Sequence, residues 1–461
     1  MTDSDVFDLG TPRTLHVIGC GGTGMSPITT VLVAMGHRVS GSDSREGPVL
    51  DRLRALGVDV KIGQRPEHLG PDVEAVTRST AVPDANPEVV EATRRGIPVL
   101  RRAGALAGIC AQRRTIAVAG SHGKTTTSSM LALVLVEAGL RPSFIVGGEL
   151  AGGNAVWSDG EWFVVEADES DGTFLELGAE VAIVTSVEPD HLEHWGNFAA
   201  LEAGFDRFLT EATGARVVCA DDPGAAAAGA RAGGAVTYGT TEGADYRMVG
   251  VAGGRTGITF TLEHGGSTLG EIALPVPGIH NARNACAAVA AAVEIGATFD
   301  DAARALARYA GVARRFQFRG ERDGVTFIDD YAHLPGEILP MLAAAREGGW
   351  RRIVCVFQPH RYSRMATLDL ADFGPVFDDA DVLVLTEIYA QGEEPRPGVS
   401  GKRVLEAVLD ARPGRKAYWF PSRAELAANV RSILRPGDLC LTLGAGDLTL
   451  LPDELLGERS G

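Results

Sequence analysis

The sequence predicts an α/β protein built on parallel sheets and divided into about three domains. Three observations predict it. Short apolar runs of β character recur along the chain: TLHVIG (14–19), TIAVAG (115–120), WFVVEA (162–167), VAIVTSV (181–187), RIVCVF (352–357) and DVLVLTEI (381–388). Ala- and Leu-rich helical stretches separate them, and buried strands interleaved with helices indicate parallel sheets. Two of the runs lead directly into glycine-rich turns. The third observation is length, since 461 residues correspond to about three domains at roughly 150 residues each.

Taken in order, TLHVIG opens the first domain and TIAVAG the second. The boundary between them is placed near Ala107–Arg114, just before the new strand and its glycine turn. A second boundary is placed near Tyr309–Arg314, after an Ala-rich helix over 282–296 and its successor. The expected domains are therefore 1–110, 111–311 and 312–461. AAAAGARAGG (225–234) reads as a helix end and loop.

Charge narrows the function classes. Lys and Arg total 43 against 60 Asp and Glu, a formal net charge of −17. Sequence-independent binding of nucleic acid or anionic membrane needs cationic surface, so neither is expected as a partner. Six cysteines (Cys20, Cys110, Cys219, Cys286, Cys355, Cys440) are scattered without a C-x-x-C pair, which offers neither a disulfide framework nor metal-ligand spacing. The acidic start MTDSDVFDLG does not read as a secretory signal, and no apolar run approaches membrane-spanning length. A cytoplasmic protein is expected.

Three stretches carry phosphate chemistry. The first, Gly19-Cys20-Gly21-Gly22-Thr23-Gly24, is a G-x-G-x-x-G after a strand and before a helix, with Asp43 ending the next strand. Such a loop lets a diphosphate sit on the helix N-terminus. It suits a nicotinamide dinucleotide, another nucleotide diphosphate or a structural turn. The second, Gly120-Ser121-His122-Gly123-Lys124-Thr125-Thr126-Thr127, is a shortened P-loop. Its N–H groups would cradle phosphates, Lys124 would neutralise β/γ oxygens and Thr125 would reach Mg²⁺. The chain has only four lysines (Lys61, Lys124, Lys402, Lys416), so one placed at this junction is not an ordinary surface residue. The third stretch comprises WFVVEADESD (162–171) and VAIVTSVEPDHLEHWG (181–196), strands ending in acids and His191. There Glu166 and His191 are candidates to hold Mg²⁺ or its waters.

With these residues together the chain resembles the Mur ligase family, ATP-dependent enzymes that join amino acids to UDP-N-acetylmuramate. The resemblance runs end to end through HVIGCGGTGMS, AGSHGKTTT, EADESD, EPDHLEHWG, PGIHNARNACAA, RRFQFRGE, DDYAHLP, FQPHRYSR and GEEPRPG. It implies an N-terminal Rossmann-like UDP-sugar domain, a central P-loop ATPase-like mononucleotide-binding domain and a C-terminal Rossmann-like domain with amino-acid contacts. The first loop then takes the UDP-sugar, with Gly19, Gly21, Gly22, Thr23, Gly24, Met25, Ser26, Ser42, Asp43 and Thr80 around it. Gly120, Ser121, His122, Gly123, Lys124, Thr125 and Thr126 take ATP phosphates, and Asn281 and Asn284 the adenine. Arg314 or Arg315, with Asp330, reaches the nucleotide from the third domain.

Thr125, Glu166 and His191 serve Mg²⁺, with Mn²⁺ a substitute, and catalysis falls to Lys124, Glu166, His191 and His333. Tyr331, His333, Arg361 and Arg364 meet the amino acid, where an arginine pair suits a carboxylate. His333 is a candidate to accept or orient the amine proton, or else a structural histidine.

The implied reaction is of the alanine-adding kind. The lactyl carboxylate attacks the ATP γ-phosphate, and the amine of L-alanine then displaces phosphate from the acyl phosphate. A monomer or weak homodimer is expected, with closure around three ligands.

Departures from the family refine this. Several siblings carry a carbamylated lysine, but no lysine lies between Lys124 and Lys402, and ALEAGFDRFL (200–209) fills the matching stretch. Leu334 stands where a second His is usual, and Gln64 where a His commonly meets the UDP-sugar; Gln still donates a hydrogen bond but does not titrate. A peptide-recycling sibling is the alternative, and FQPHRYSR argues against it. A dehydrogenase would use the first loop and Asp43 while leaving GKTTT without a role. A nucleotide-sensing module would bind ATP without sugar-dependent hydrolysis.

Overall fold

Strand periodicity becomes three separate sheets in the computed structural model, which describes residues 6–148 and 153–457. The first contains β1 (Thr14–Ile18), β2 (Arg38–Asp43), β3 (Asp59–Ile62), β4 (Ala75–Arg78) and β5 (Val99–Arg101), all parallel in the order β3-β2-β1-β4-β5. Helices α1 (Ser26–Ala34), α2 (Pro48–Ala55), α3 (Pro87–Arg94) and α4 (Arg102–Cys110) connect and follow these strands. The strand order reverses at β1, and the crevice beyond the C-terminal end of such a strand is where ligands bind.

The second sheet numbers ten strands: β6 (Arg114–Ala119), β7 (Ser143–Ile145), β8 (Ala155–Val156), β9 (Trp162–Glu166), β10 (Val181–Val184), β11 (Arg216–Cys219), β12 (Val236–Gly239), β13 (Tyr246–Gly253), β14 (Ile258–His264) and β15 (Ser267–Leu274). From β13 its order runs β13-β12-β11-β10-β6-β9-β7-β8. Strand β6 thus lies between β9 and β10, with Val118 opposite Glu166 and Ala119 opposite Val184. This register delivers Gly120, Glu166 and the segment after Val184 to one end of the sheet. Helix α5 (Lys124–Glu137) leaves from there.

The third sheet is β16 (Gln317–Arg322), β17 (Val325–Asp330), β18 (Arg352–Phe357), β19 (Val382–Leu385), β20 (Ala417–Trp419) and β21 (Asp438–Leu443), in the order β16-β17-β21-β18-β19-β20. Only β16 pairs antiparallel among these strands. Ile328, Cys355, Phe357 and Leu441 pack on one face, and Phe327, Val354, Val356 and Cys440 on the other, the alternation a strand requires. Asp330, Leu443, Phe357 and Leu385 align in register, so the residues that follow them collect at one end.

The chain divides into two compact units, Met1–Val249 with Thr261–Gly270 and Arg283–Leu306, and Gly250–Phe260 with Glu271–Ala282 and Ala307–Gly461. The first sheet and much of the second share a unit, and Arg101 and Arg102 tie them together through ion pairs to Glu176, Asp168 and Asp171. The stretch AAAAGARAGG is the helix end and loop expected of it, with the helix ending at Ala232 and the chain turning at Gly233 and Gly234. Residues 223–232 form a helix capped by the Asp222 side chain, and Gly229 sits too close to Val218 to carry a Cβ. All six cysteines are free and buried. Among the described residues, no helix is long and apolar enough to cross a membrane.

Candidate functional site

The first glycine loop is closed by its own neighbours. Gly19 takes φ +77°, and the Gly19 and Cys20 amides donate to the Ser42 carbonyl at 2.8 and 3.1 Å. The Gly21 amide donates to Asp43 Oδ2 at 2.9 Å, and Gly22 N–H to the Gly19 carbonyl at 3.0 Å. Thr23 and Thr80 are exposed, Gly24 and Ser26 partly so, and Met25 is core. Ser42 turns inward, its hydroxyl donating to Glu88 Oε2 at 2.5 Å. Glu88, absent from the sequence-predicted set, is fully buried and also meets His16 Nε2 (3.2 Å), His68 Nδ1 (2.8 Å) and the Arg65 amide (3.1 Å). Burial alone would raise its pKa, but hydrogen bonds from His16, Ser42 and His68 outweigh that and hold it below the ordinary value.

The second loop is tighter. Gly120 has φ +133°, and a Cβ there would overlap Thr185 Oγ1 and come 2.9 Å from the Ser186 amide. Gly123 has φ +82°, and its Cβ would lie 2.5 Å from Asn284 Oδ1. The Ser121 amide donates to the Ser186 carbonyl (3.0 Å), the His122 amide to Ser186 Oγ (3.0 Å), and His122 Nε2 lies 3.2 Å from Glu188 Oε2. Lys124 Nζ donates to the Gly120 carbonyl (2.6 Å) and to Glu169 Oε1 (2.8 Å), a carboxylate only 1% exposed. Burial would lower the lysine's pKa, but Glu169, Glu166 and Asp168 raise it instead, so its charge is permanent. Thr126 is buried in the first turn of α5.

The acids of EADESD divide their work. Glu166 Oε2 accepts from Thr125 Oγ1 (2.9 Å) and the Gly147 amide (2.8 Å). Glu169 takes Lys124, while Asp168 and Asp171 both receive Arg102 Nη2. His191, at φ +54°, pairs with Asp190 at 3.3 Å. Thr125 is thus joined to Glu166, and His191 to Asp190. No cluster of three His, Cys, Asp or Glu that could hold a metal occurs among the described residues. Mg²⁺ does not require one: it takes one or two carboxylates, with waters and phosphates completing an oxygen shell. A threonine hydroxyl beside one carboxylate at a P-loop fits that ion.

Asn284 is 7% exposed beside Gly123, and Asn281, one helical turn earlier, donates Nδ2 to the Pro277 carbonyl at 2.7 Å. Between them Arg283 donates Nε to Asp221 at 2.7 Å. Although burial opposes it, hydrogen bonds from Thr240, Thr241 and Arg283 bring Asp221 down to about 2. The lysine-free stretch 200–209 lies on a helix, Phe198–Glu211, whose Phe205 and Phe208 pack on Phe174.

In the second unit, Arg314 and Arg315 lie over the Tyr331 ring at 4.9 and 5.3 Å. Arg314 also donates Nη2 to the Gly444 carbonyl at 2.6 Å. Asp330 is buried and braces backbone, accepting from Phe316 (2.6 Å) and Ala332 (2.8 Å) amides. Burial lifts it to about 6 against the pull of Arg315.

His333 Nε2 contacts Arg364 Nη1 directly. A guanidinium only donates, so Nε2 carries the lone pair and Nδ1–H faces the Tyr331 carbonyl at 3.1 Å. His360 stands edge-on to His333 with centroids 5.2 Å apart, and its Nε2 meets Gln391 Oε1 at 2.6 Å. Burial, with His333, Arg364 and Arg361 as neighbours, outweighs that hydrogen bond and lowers His360 to about 4. Arg361, at φ +63°, has an exposed side chain with no hydrogen bond or ion pair among the described residues. Leu334 sits at the N-cap of helix Pro335–Glu347, where Glu337 accepts the His333 and Leu334 amides.

Sequence reasoning missed Glu88, Arg102, Glu169, Asp221 and His360. The signal for Glu169 is its place in EADESD. His360 lies inside FQPHRYSR, and the other three stand in stretches with no pattern of their own.

Three family models match consecutively: the Mur ligase family catalytic domain at residues 14–114, the Mur ligase middle domain at 118–292, and the Mur ligase glutamate ligase domain at 314–446. The chain is 45% identical over 451 residues to a UDP-N-acetylmuramate–L-alanine ligase of Anaeromyxobacter sp. (strain Fw109-5), covering 97% of this chain and 98% of that protein. It is 46% identical over 453 residues to the ligase of the same name from Acidothermus cellulolyticus, covering 96% and 94%. Among solved structures it is similar to UDP-N-acetylmuramate-alanine ligase MurC of Thermotoga maritima, with TM-score 0.80, 28% identity and coverage of 96% and 98%.

Proposed function

The chain belongs to the Mur ligase family, and from that premise we propose that it ligates L-alanine to the lactyl carboxylate of UDP-N-acetylmuramate at the expense of ATP, in peptidoglycan precursor synthesis. The observation that carries this reading is near-full-length likeness to ligases of that name.

A carboxylate is a weak nucleophile, so the γ-phosphate must be held in line with its charge neutralised. The loop amides and Lys124 supply that cradle. Thr125 and Glu166 would hold Mg²⁺ (or Mn²⁺), with His191 serving its waters, and the ion withdraws charge from the transferring phosphoryl group when bound. A carboxylate oxygen forms the new P–O bond as the β,γ-bridging P–O bond breaks, releasing ADP. The alanine amine then attacks the acyl carbon and the C–O bond to phosphate breaks. The ammonium proton must leave before that attack, and His333 is the candidate to accept or orient it. Arg364, with Arg361 and Tyr331, meets the alanine carboxylate. Asn281 and Asn284 are assigned to the adenine, and Arg315 and Asp330 to the nucleotide. The first loop, with Ser42, Asp43 and Thr80, is assigned to the UDP-sugar.

We further take the domains as 1–110, 111–311 and 312–461, and the protein as cytoplasmic, a monomer or weak homodimer. ADP release is measured with UDP-N-acetylmuramate, Mg-ATP and L-alanine, glycine or L-serine. Turnover is expected with L-alanine. Turnover with a preformed peptide and none with L-alanine would move the chain to the peptide-recycling branch.

A further inference from the structure

We propose that Arg102 is a ligand for the diphosphate of the sugar nucleotide, held ready beside the first glycine loop by Asp168 and Asp171. This rests on the reading that the loop takes a UDP-sugar. Arg102 opens α4, directly after β5, so it emerges at the same end of the first sheet as the loop. Its side chain lies over Gly24: a Cβ there would sit 3.3 Å from Arg102 Cδ and 3.7 Å from Nη1. A side chain at that position would crowd the arginine.

The guanidinium is asymmetrically engaged. Nη2 alone meets Asp168 Oδ2 (3.2 Å), Asp171 Oδ2 (3.1 Å) and Thr173 Oγ1 (3.4 Å). Nη1, the nitrogen nearer Gly24, has no hydrogen-bond partner among the described residues, and the side chain is 18% exposed. A guanidinium presents several donors in a fixed fork, and this one has one arm anchored and the other open toward the glycine loop.

The loop needs such a cation. Residues 19–26 contain no Lys or Arg, and Asp43 already places a carboxylate on the Gly21 amide. Backbone N–H groups and the α1 terminus supply only partial positive charge, while a diphosphate brings two or more negative charges. Asp168 and Asp171 fix the arginine's position before the ligand arrives, which lowers the ordering cost of binding.

The full-length protein is titrated, without ATP, with UDP and with uridine. Arg102→Met is expected to weaken UDP by at least about tenfold while leaving uridine unchanged, and Arg102→Lys to recover part of the loss. Undiminished UDP binding in Arg102→Met would overturn the proposal while the sugar-nucleotide reading stands. Equal weakening of UDP and uridine would make Arg102 a scaffold residue and overturn it likewise. A wild-type protein that binds neither ligand would overturn the sugar-nucleotide reading itself.

Discussion

The glycine loop after β6 and the histidine–arginine cluster after β17 and β18 both follow the C-terminal ends of parallel strands, yet they hold charge in opposite ways. Around the loop, buried carboxylates keep Lys124 ionised. Around the cluster, Arg364 faces the His333 lone pair, and burial keeps His360 neutral to about pH 4. Phosphoryl transfer needs a cation that never titrates, whereas an amine nucleophile needs a base that keeps its lone pair. One strand–loop–helix arrangement serves both because the surrounding acids and arginines, not the fold, set the protonation state.

The hardest test of the ionised side is Lys124→Met. Turnover is expected to fall by about a thousandfold or more, measured as ADP release, with UDP binding unchanged. Glu169 would be left buried without its partner, at a stability cost of about 3 kcal/mol in urea denaturation. The double variant with Glu169→Gln should recover much of the stability and none of the activity. Activity returning with stability would show that the lysine is structural.

Next in size is Gly120→Ala. Its φ of +133° and the overlap with Thr185 leave a methyl no room, so a loss of about 3 kcal/mol is expected, with a raised KM for ATP. An unchanged midpoint would mean that the loop adjusts freely and that its tight geometry has no part in placing Lys124.

The neutral side is tested by pH. His360 titrates near 4 in the folded chain against about 6.5 unfolded, so between those values the unfolded state binds the proton first. Stability is full above about pH 6.5 and falls toward pH 4, by up to roughly 3 kcal/mol. His360→Phe should flatten that slope between about pH 6.5 and 4. A slope that persists would assign the titration to another group.

The two regions were not equally legible. Lys124 and Thr125 stand in one contiguous motif, and a strand before it and a helix after it fix their direction, so the sequence announces them. Glu166 follows because an apolar strand ends on it. Which acid of EADESD receives the lysine is not announced, since Glu166, Asp168, Glu169 and Asp171 look alike until the turn after β9 orients them. The histidines of the third sheet are harder still. His360 owes its neutrality to burial beside His333 and Arg364, and its orientation to Gln391, on segments brought together by the register of β17, β18, β19 and β21. The two arginines of the R-x-x-R spacing differ in their surroundings: Arg361, at φ +63° ahead of the helix Tyr362–Thr367, is exposed, whereas Arg364 contacts His333, a separation in what they touch that the spacing does not announce.

That separation makes Arg364 the more informative arginine, and Arg364→Lys the finest probe of the contrast. A lysine keeps the positive charge but replaces a planar fork by a single rotating ammonium. If Arg364 both faces the His333 lone pair and binds the alanine carboxylate, the variant loses the second donor while retaining the first. KM for L-alanine is then expected to rise about tenfold, with KM for ATP and for the sugar nucleotide unchanged. A rise in the ATP term instead would place Arg364 with the phosphate-handling residues, and the division between a permanently charged site and a neutral one would no longer hold.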